Sequence, residues 1–237
     1  ALPICRYCSE EFLSECDRLG IAVWQDMSFA CGSCPIELDE GEYCAELVDF
    51  LIRSAHHPSL VMICGGNENE WLYGAKRTER ERDFFTRQVP EIISTLRPDL
   101  LYWPDSPWGE GKPNDPQTGD YHEWGFWSGK KPISVLCEQK PLFVSEFGFQ
   151  SAPSVSVLRD HAGGKGDAEL IKTRQFQLKG AEILEHYMRQ FGGEALIATE
   201  PVSASRYCQA MALATAIRCW RYNDSFKGAL VWQLNDV

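Results

Sequence analysis

The chain has 237 residues, 44% hydrophobic and 12% aromatic, the make-up of a globular protein large enough to bury a real core. Its 34 acidic residues outnumber 23 basic ones, and the formal net charge of −11 repels phosphate backbones and anionic lipid, which argues against nucleic acid and membrane surfaces as partners. No apolar run approaches the roughly 18 residues that a membrane-spanning helix needs, and no basic stretch followed by an apolar one marks a signal peptide.

In chain order, Ser9 predicts a helix N-cap, with Glu10 and Glu11 suited to the positive end of the helix dipole. Phe12, Leu13, Cys16 and Leu19 then recur on one face, and Gly20 ends the helix. Ile21–Trp24 reads as a short strand. Apolar positions from Tyr43 to Ala55 form one helical stripe, and Ser59–Cys64 is a buried-strand run closed by Gly65 and Gly66. Thr78 and Glu81 form a capping box for a helix carrying Phe84, Phe85, Ile92, Ile93 and Leu96, which stops before Pro98. Leu100–Trp103 is the next strand. Ser106 to Gly119, rich in Pro, Gly and Asp, is a long loop of the kind that is more often functional than idle.

Tyr121 to Trp127 reads as a short aromatic strand and Leu142–Ser145 as a clear one. Helices follow at about Asp167 to Phe191 and Ser205 to Tyr222, and Gly228–Gln233 is the last strand. Six strands alternating with helix or loop predict an α/β fold with parallel pairing. Two architectures fit: an open doubly wound sheet, or a (β/α)8 barrel lacking its first two strands.

Ten cysteines stand out. Cys5/Cys8 and Cys31/Cys34 form two CxxC pairs, the pattern of a four-thiolate zinc site. A helix and an apolar strand fill the 22 residues between the pairs, whereas zinc knuckles sit on tight turns. Cys16, Cys44, Cys64, Cys137, Cys208 and Cys219 lie mostly on apolar faces, so buried thiols are expected, which leans towards a reducing compartment. The eight Trp and eight Tyr suit either core packing or stacking against the C–H faces of a sugar.

Chemistry is signalled by where carboxylates fall. Glu68 lies just past one buried strand, in Gly65-Gly66-Asn67-Glu68-Asn69-Glu70, and Glu146 ends another, in Val144-Ser145-Glu146-Phe147-Gly148. In a parallel barrel all strand C-terminal ends face one mouth, so both carboxylates would converge there. Two carboxyl groups of different protonation are what glycoside hydrolysis requires.

These motifs resemble glycoside hydrolase family 2, and within it the β-mannosidase branch. Gly20–Asp26 with Phe29-Ala30-Cys31 is similar to the third barrel strand, and His57-Pro58-Ser59 through Glu70 to the fourth. Tyr102–Pro107 is similar to the fifth, Gly119-Asp120-Tyr121-His122-Glu123-Trp124 to the sixth, Ser145–Ser151 to the seventh and Trp232–Asp236 to the eighth. The Asn-Glu-Asn-Glu run and the Gly-Asp-x-His-x-Trp segment favour mannosidase over galactosidase or glucuronidase. The resemblance implies a retaining exo-β-glycosidase acting on β-mannosides, with Glu68 as general acid/base and Glu146 as nucleophile. Asn67 would contact the C2 substituent, and Trp24, Asp26, Trp103, His122, Trp124 and Trp232 would line the terminal sugar subsite. For each Trp, ordinary packing explains its position equally well. No cofactor and no catalytic metal is implied.

The chain departs from the family pattern at Gly66, where the first of two Asn residues is usual. Nothing matches the first two barrel strands, their sugar-binding Arg, or the β-sandwich domains that precede the barrel. Residues 1–237 are thus expected to form a partial catalytic barrel, strands three to eight, that aggregates or is inactive alone. The competing readings are a different family 2 glycosidase and a carbohydrate-binding barrel without catalysis.

Overall fold

The computed structural model describes residues 6–32, 36–160, 169 and 179–233. Two compact units divide the chain, Ala1–Tyr121 and His122–Val237. Its class is α/β, with six strands among the described residues paired as two three-stranded sheets.

The first unit is built on β1 (Val23–Asp26), β2 (Leu60–Cys64) and β3 (Leu101–Trp103), in that order and parallel. Asp26 pairs with Cys64, and Cys64 with Trp103, so the three C-terminal ends are level. Helices fill the crossovers. The helix Glu10–Leu19 starts as expected, with Ser9 Oγ accepting from Phe12 N at 3.3 Å, and stops at Gly20, whose φ of 68° is the left-handed geometry that glycine adopts without strain. The helix Ile36–Arg53 begins earlier than its apolar stripe suggests, with a kink at Asp39.

Thr78 and Glu81 make the expected capping box, with Glu81 N donating to Thr78 Oγ1 at 3.1 Å and Thr78 N to Glu81 Oε2 at 2.6 Å. The helix it opens is interrupted at Phe84–Gln88 by a wide π turn, which turns two adjacent rings inward where a regular helix would fan them apart. Phe84 and Phe85 are both buried there, beside Leu13, Val23, Leu47, Phe50, Leu51, Ile63, Val89 and Ile93. Each such side chain contributes about 1.5–3 kcal/mol by leaving water.

The second unit holds β5 (Phe143–Phe147) and β6 (Gly228–Val231), parallel, with Phe143 opposite Gly228 and Phe147 opposite Val231. On the other side of β5 lies β4 (Asp120–Glu123), which starts at the end of the first unit. The helices Gly180–Thr199 and Pro201–Arg221 pack on this sheet's aromatic core of Phe126, Trp127, Phe147, Phe149, Tyr187 and Trp220. Buried Tyr187 satisfies its hydroxyl by donating to Phe126 O at 2.7 Å.

Two expectations change, and a third lies outside the described residues. The segment from Tyr121 to Trp127 is strand only to Glu123, because Glu123 Oε2 accepts from Phe126 N at 3.0 Å and turns the chain into the short helix Gly125–Ser128. Cys137 and Cys219 are not thiols. The end of the helix Pro201–Arg221 meets the short helix Val135–Glu138 with Cα atoms 4.8 Å apart, and the two cysteines form a disulfide. Cysteine usage therefore carries no argument for a reducing compartment. Finally, most of the predicted helix start at Asp167 lies outside the described residues, as do Cys5 and Cys34 of the CxxC pairs. Cys8 is buried and Cys31 exposed.

Candidate active site

Past the end of β2 the chain keeps the sheet going for one more residue. Asn67 bridges Ala30 on one side and Ser106 on the other, with Asn67 N donating to Phe29 O and Cys31 N to Asn67 O, both at 2.8 Å. Glu68 N then donates to Ser106 O at 2.6 Å, and Glu68 takes a left-handed conformation, φ 58°, that side-chain-bearing residues rarely hold. Asn67 is buried and Glu68 half-buried, so the turn lifts the carboxylate out of the sheet while its neighbour stays in. Cys31 Sγ lies 3.4 Å from Glu68 Oε2, and Asn67 Nδ2 is 3.8 Å from the same sulfur.

Buried groups hold this turn from below. Asn69 Nδ2 donates to Phe29 O and to Asp105 Oδ1, each at 3.2 Å, and Glu70 N donates to Asp105 Oδ2 at 2.6 Å. Burial pushes the Asp105 carboxyl up to about 7, against the lowering effect of those donors and of Arg77. Gly66 is also explained. A Cβ there would come within 2.3 Å of Asn69 Nδ2 and 2.7 Å of Phe29 O, so the site has no room for the Asn usual in the family pattern.

The remaining residues of this unit form two pairs. Trp24 Nε1 donates to Asp26 Oδ1 at 2.9 Å, joining the two at the end of β1. Trp103 Nε1 donates to Asp120 Oδ1 at 2.8 Å, and Asp120 also accepts from Ser106 Oγ at 2.7 Å and Trp108 N at 2.6 Å. Asp120 thereby ties the Ser106–Gly119 loop to the end of β3. Residue pattern alone had assigned no role to Asp105, and had used Asp120 only as part of the Gly-Asp-x-His-x-Trp segment. For Asp105, an Asp two residues after a strand with no nearby Lys or Arg in sequence was the available signal.

In the second unit the geometry centres on Glu146, buried on β5. Its Oε2 accepts from Trp124 Nε1 at 2.8 Å and lies 3.1 Å from Nδ1 of the buried His122. His122 lies on β4 and Trp124 one residue beyond it, so two sheet neighbours aim ring nitrogens at one carboxylate oxygen. Gly148 lets Trp232 and Trp124 pack closely against the backbone here. A Cβ there would meet Trp232 O at 2.2 Å and Trp124 Cη2 at 2.9 Å. Trp232 itself follows β6, partly exposed, its N–H donating to Phe147 O at 2.8 Å.

Each unit thus carries a carboxylate at or just past a strand end, Glu68 beside Asn67 and Glu146 beside Trp124 and His122, and the comparisons say what such a chain is similar to. No family model matches the chain. It is 30% identical to Beta-mannosidase B of Aspergillus flavus over 266 residues, covering 97% of this chain and 30% of that protein. It is 29% identical to the enzyme of the same name from Aspergillus niger, over the same shares. Among solved structures, the β-D-mannosidase of Dictyoglomus thermophilum matches 99% of this chain and 31% of its own, with a TM-score of 0.89 at 30% identity. A family 2 β-galacturonidase from Eisenbergiella tayi, at 16% identity and a TM-score of 0.55, shares the fold alone. The chain is thus similar to β-mannosidases and shares its fold with family 2 glycoside hydrolases. It spans about 30% of the length of those β-mannosidases.

Proposed function

We propose that this segment carries the catalytic residues of a retaining exo-β-mannosidase that removes terminal non-reducing β-D-mannose from oligosaccharides or glycan fragments. The observation that carries the reading is the environment of Glu146. A buried carboxylate at a strand end, oriented by Trp124 Nε1 and His122 Nδ1 on one oxygen, is built to present a nucleophile in one direction. Relatives named as β-mannosidases across nearly all of the chain support the substrate class. Residues 1–237 are read as strands three to eight of a (β/α)8 barrel, whose strand C-terminal ends carry the chemistry.

In the first step Glu146 attacks the anomeric carbon while Glu68 gives its proton to the departing glycosidic oxygen, so the glycosidic C–O bond breaks as a glycosyl ester forms. In the second, ionised Glu68 takes a proton from water, the water oxygen attacks the same carbon, and Glu146 leaves. Two inversions at one carbon retain its configuration. The mechanism requires both carboxyl groups to reach one sugar. Asn67, from the strand-end bridge, is assigned the C2 substituent. Trp24, Asp26, Trp103, His122, Trp124 and Trp232 are assigned to the walls of the terminal subsite.

The test uses a natural protein of the relatives' length that carries this segment. It is assayed with 4-nitrophenyl β-mannoside, β-glucoside, β-galactoside and β-glucuronide, as wild type and as Glu146→Ala with and without azide. Mannoside preference, a loss of roughly 10⁴-fold or more in the variant, and azide rescue giving the inverted glycosyl azide would support the proposal. Turnover unchanged in Glu146→Ala would remove the nucleophile assignment. Preference for another glycoside would move the protein to a different branch, and sugar binding with no turnover would make it a binding barrel.

A further inference from the structure

At the other end of β2 from Glu68, just before the strand begins, four ionisable side chains gather without a part in the proposed chemistry. The helix Glu10–Leu19 supplies Glu10 from its first turn and Asp17 from its last, and His56 and His57 come from the segment leading into β2. His57 is buried. Its Nδ1 lies 2.6 Å from Asp17 Oδ2 and its Nε2 2.9 Å from Glu10 Oε2, while exposed His56 places Nε2 3.6 Å from the same Glu10 oxygen. Glu10, His56 and His57 each offer a ligand atom, and the three lie within 4.8 Å of one another.

We propose that Glu10, His56 and His57 form a binding site for a zinc-type divalent cation that staples the first helix to the start of β2. The donor set is two imidazoles and one carboxylate, a combination zinc favours, with a fourth position open to water. Tetrahedral zinc at about 2.0–2.1 Å from each ligand holds the ligand atoms about 3.3 Å apart. The two distances to Glu10 Oε2, 2.9 Å from His57 and 3.6 Å from His56, bracket that spacing, and the half-exposed Glu10 and exposed His56 side chains are the ones that turn to close the site.

Asp17 supplies what distinguishes this cluster from a chance surface grouping. Its carboxylate is itself fixed by Ser59 N, which donates to Oδ1 at 2.8 Å, and it receives Nδ1–H of His57. A carboxylate on Nδ1 fixes the ring orientation and the tautomer that leaves Nε2 to a metal, the carboxylate–histidine–metal arrangement of zinc proteins. Two carboxylates would balance the dication. Arg53 faces the other oxygen of Glu10, Oε1, at 4.0 Å and leaves the ligating oxygen to the site. Binding exchanges the Nε2 proton of His57 for the metal, so uptake releases a proton and no redox partner is needed.

The probe is Zn²⁺ itself, titrated calorimetrically into a natural protein of the relatives' length that carries this segment, after its accessible thiols have been blocked with iodoacetamide. One equivalent is expected per chain at micromolar affinity or better, together with a zinc-dependent rise in Tm. His56→Ala changes an exposed residue outside the fold's core and should weaken binding at least about tenfold and cancel the Tm rise. Asp17→Asn, which keeps the shape but weakens the hold on His57, should weaken it about 10–100-fold. The site is refuted if zinc at about 100 μM is not taken up stoichiometrically, or if uptake is the same in wild type and His56→Ala.

Discussion

Glu68 and Glu146 are carboxylates of one residue type at the ends of two strands, and they are held in opposite ways. Glu146 sits within β5, in the span where the register with β6 shifts between Val144 and Phe147, and is buried and oriented by side chains, the ring nitrogens of Trp124 and His122 on its Oε2. Glu68 has left the strand, is half-buried in a left-handed turn, and is positioned through its backbone by Ser106 O, with the Cys31 sulfur beside its Oε2. Under the roles proposed for the two, the difference has a physical reason. A nucleophile needs one fixed direction, which ring donors supply. An acid/base that gives and retakes a proton needs a rigid platform and access to water, which a strained backbone turn on a packed base provides.

The largest effect that separates the two is stereochemical. Glu68→Ala should lower turnover of substrates with poor leaving groups by about 10²–10⁴-fold, and less for an activated aryl mannoside. Azide should rescue it to the glycosyl azide of retained configuration, where Glu146→Ala gives the inverted one. The same azide anomer from both variants would break the comparison.

A smaller effect tests the clamp. Trp124→Phe keeps the ring and deletes the N–H on Glu146 Oε2, and loss of one hydrogen bond to a charged group predicts about a tenfold to hundredfold fall in kcat. The fall should spare the Glu68 chemistry, so dependence on leaving-group acidity should be that of wild type. A changed dependence would mean Trp124 serves protonation instead.

The platform under Glu68 makes a prediction for stability. Gly66→Ala puts a Cβ against Asn69 Nδ2 and Phe29 O and should cost about 1–3 kcal/mol in urea denaturation. A variant as stable as wild type would show that the turn yields.

The smallest effect is a pH slope. Asp105 titrates near 7 in the folded chain and near the ordinary carboxylate value of about 3.9 when unfolded. The folded state holds that proton more tightly, so this group's contribution is full below about pH 4 and is lost as pH rises through about 7. Asp105→Asn should flatten that part of the stability profile relative to wild type, and identical profiles would remove burial as the controlling force at this carboxyl.

Much of this fold was legible in the chain because it is locally determined. The Ser9 cap, the left-handed stop at Gly20 and the Thr78–Glu81 capping box are hydrogen bonds or backbone angles between residues a few positions apart, and residue type settles them. The strand Leu60–Cys64 shows as an apolar run, although Val61 is exposed and only Leu60, Ile63 and Cys64 are buried. What was misread has two sources. The end of β4 is set by a local cap, Phe126 N on Glu123 Oε2, that the aromatic run hid, whereas Cys137 meets Cys219 across a sequence separation of 82 residues. The Phe84–Gln88 π turn is a packing solution for two rings, invisible to a helical period.

The same division runs through the site. Sequence by itself determined the chemistry available: carboxylates at strand ends among Trp, Asn and Gly, in an order shared with family 2 β-mannosidases. Tertiary structure alone decided how each group is held. It brought Trp124 and His122 onto one oxygen of Glu146, set Asp105 beneath Asn69, and closed the space at Gly66. Side-chain identity sets what a group can donate, accept or ionise, but direction, burial and the filling of space arise from contacts between segments that folding alone brings together.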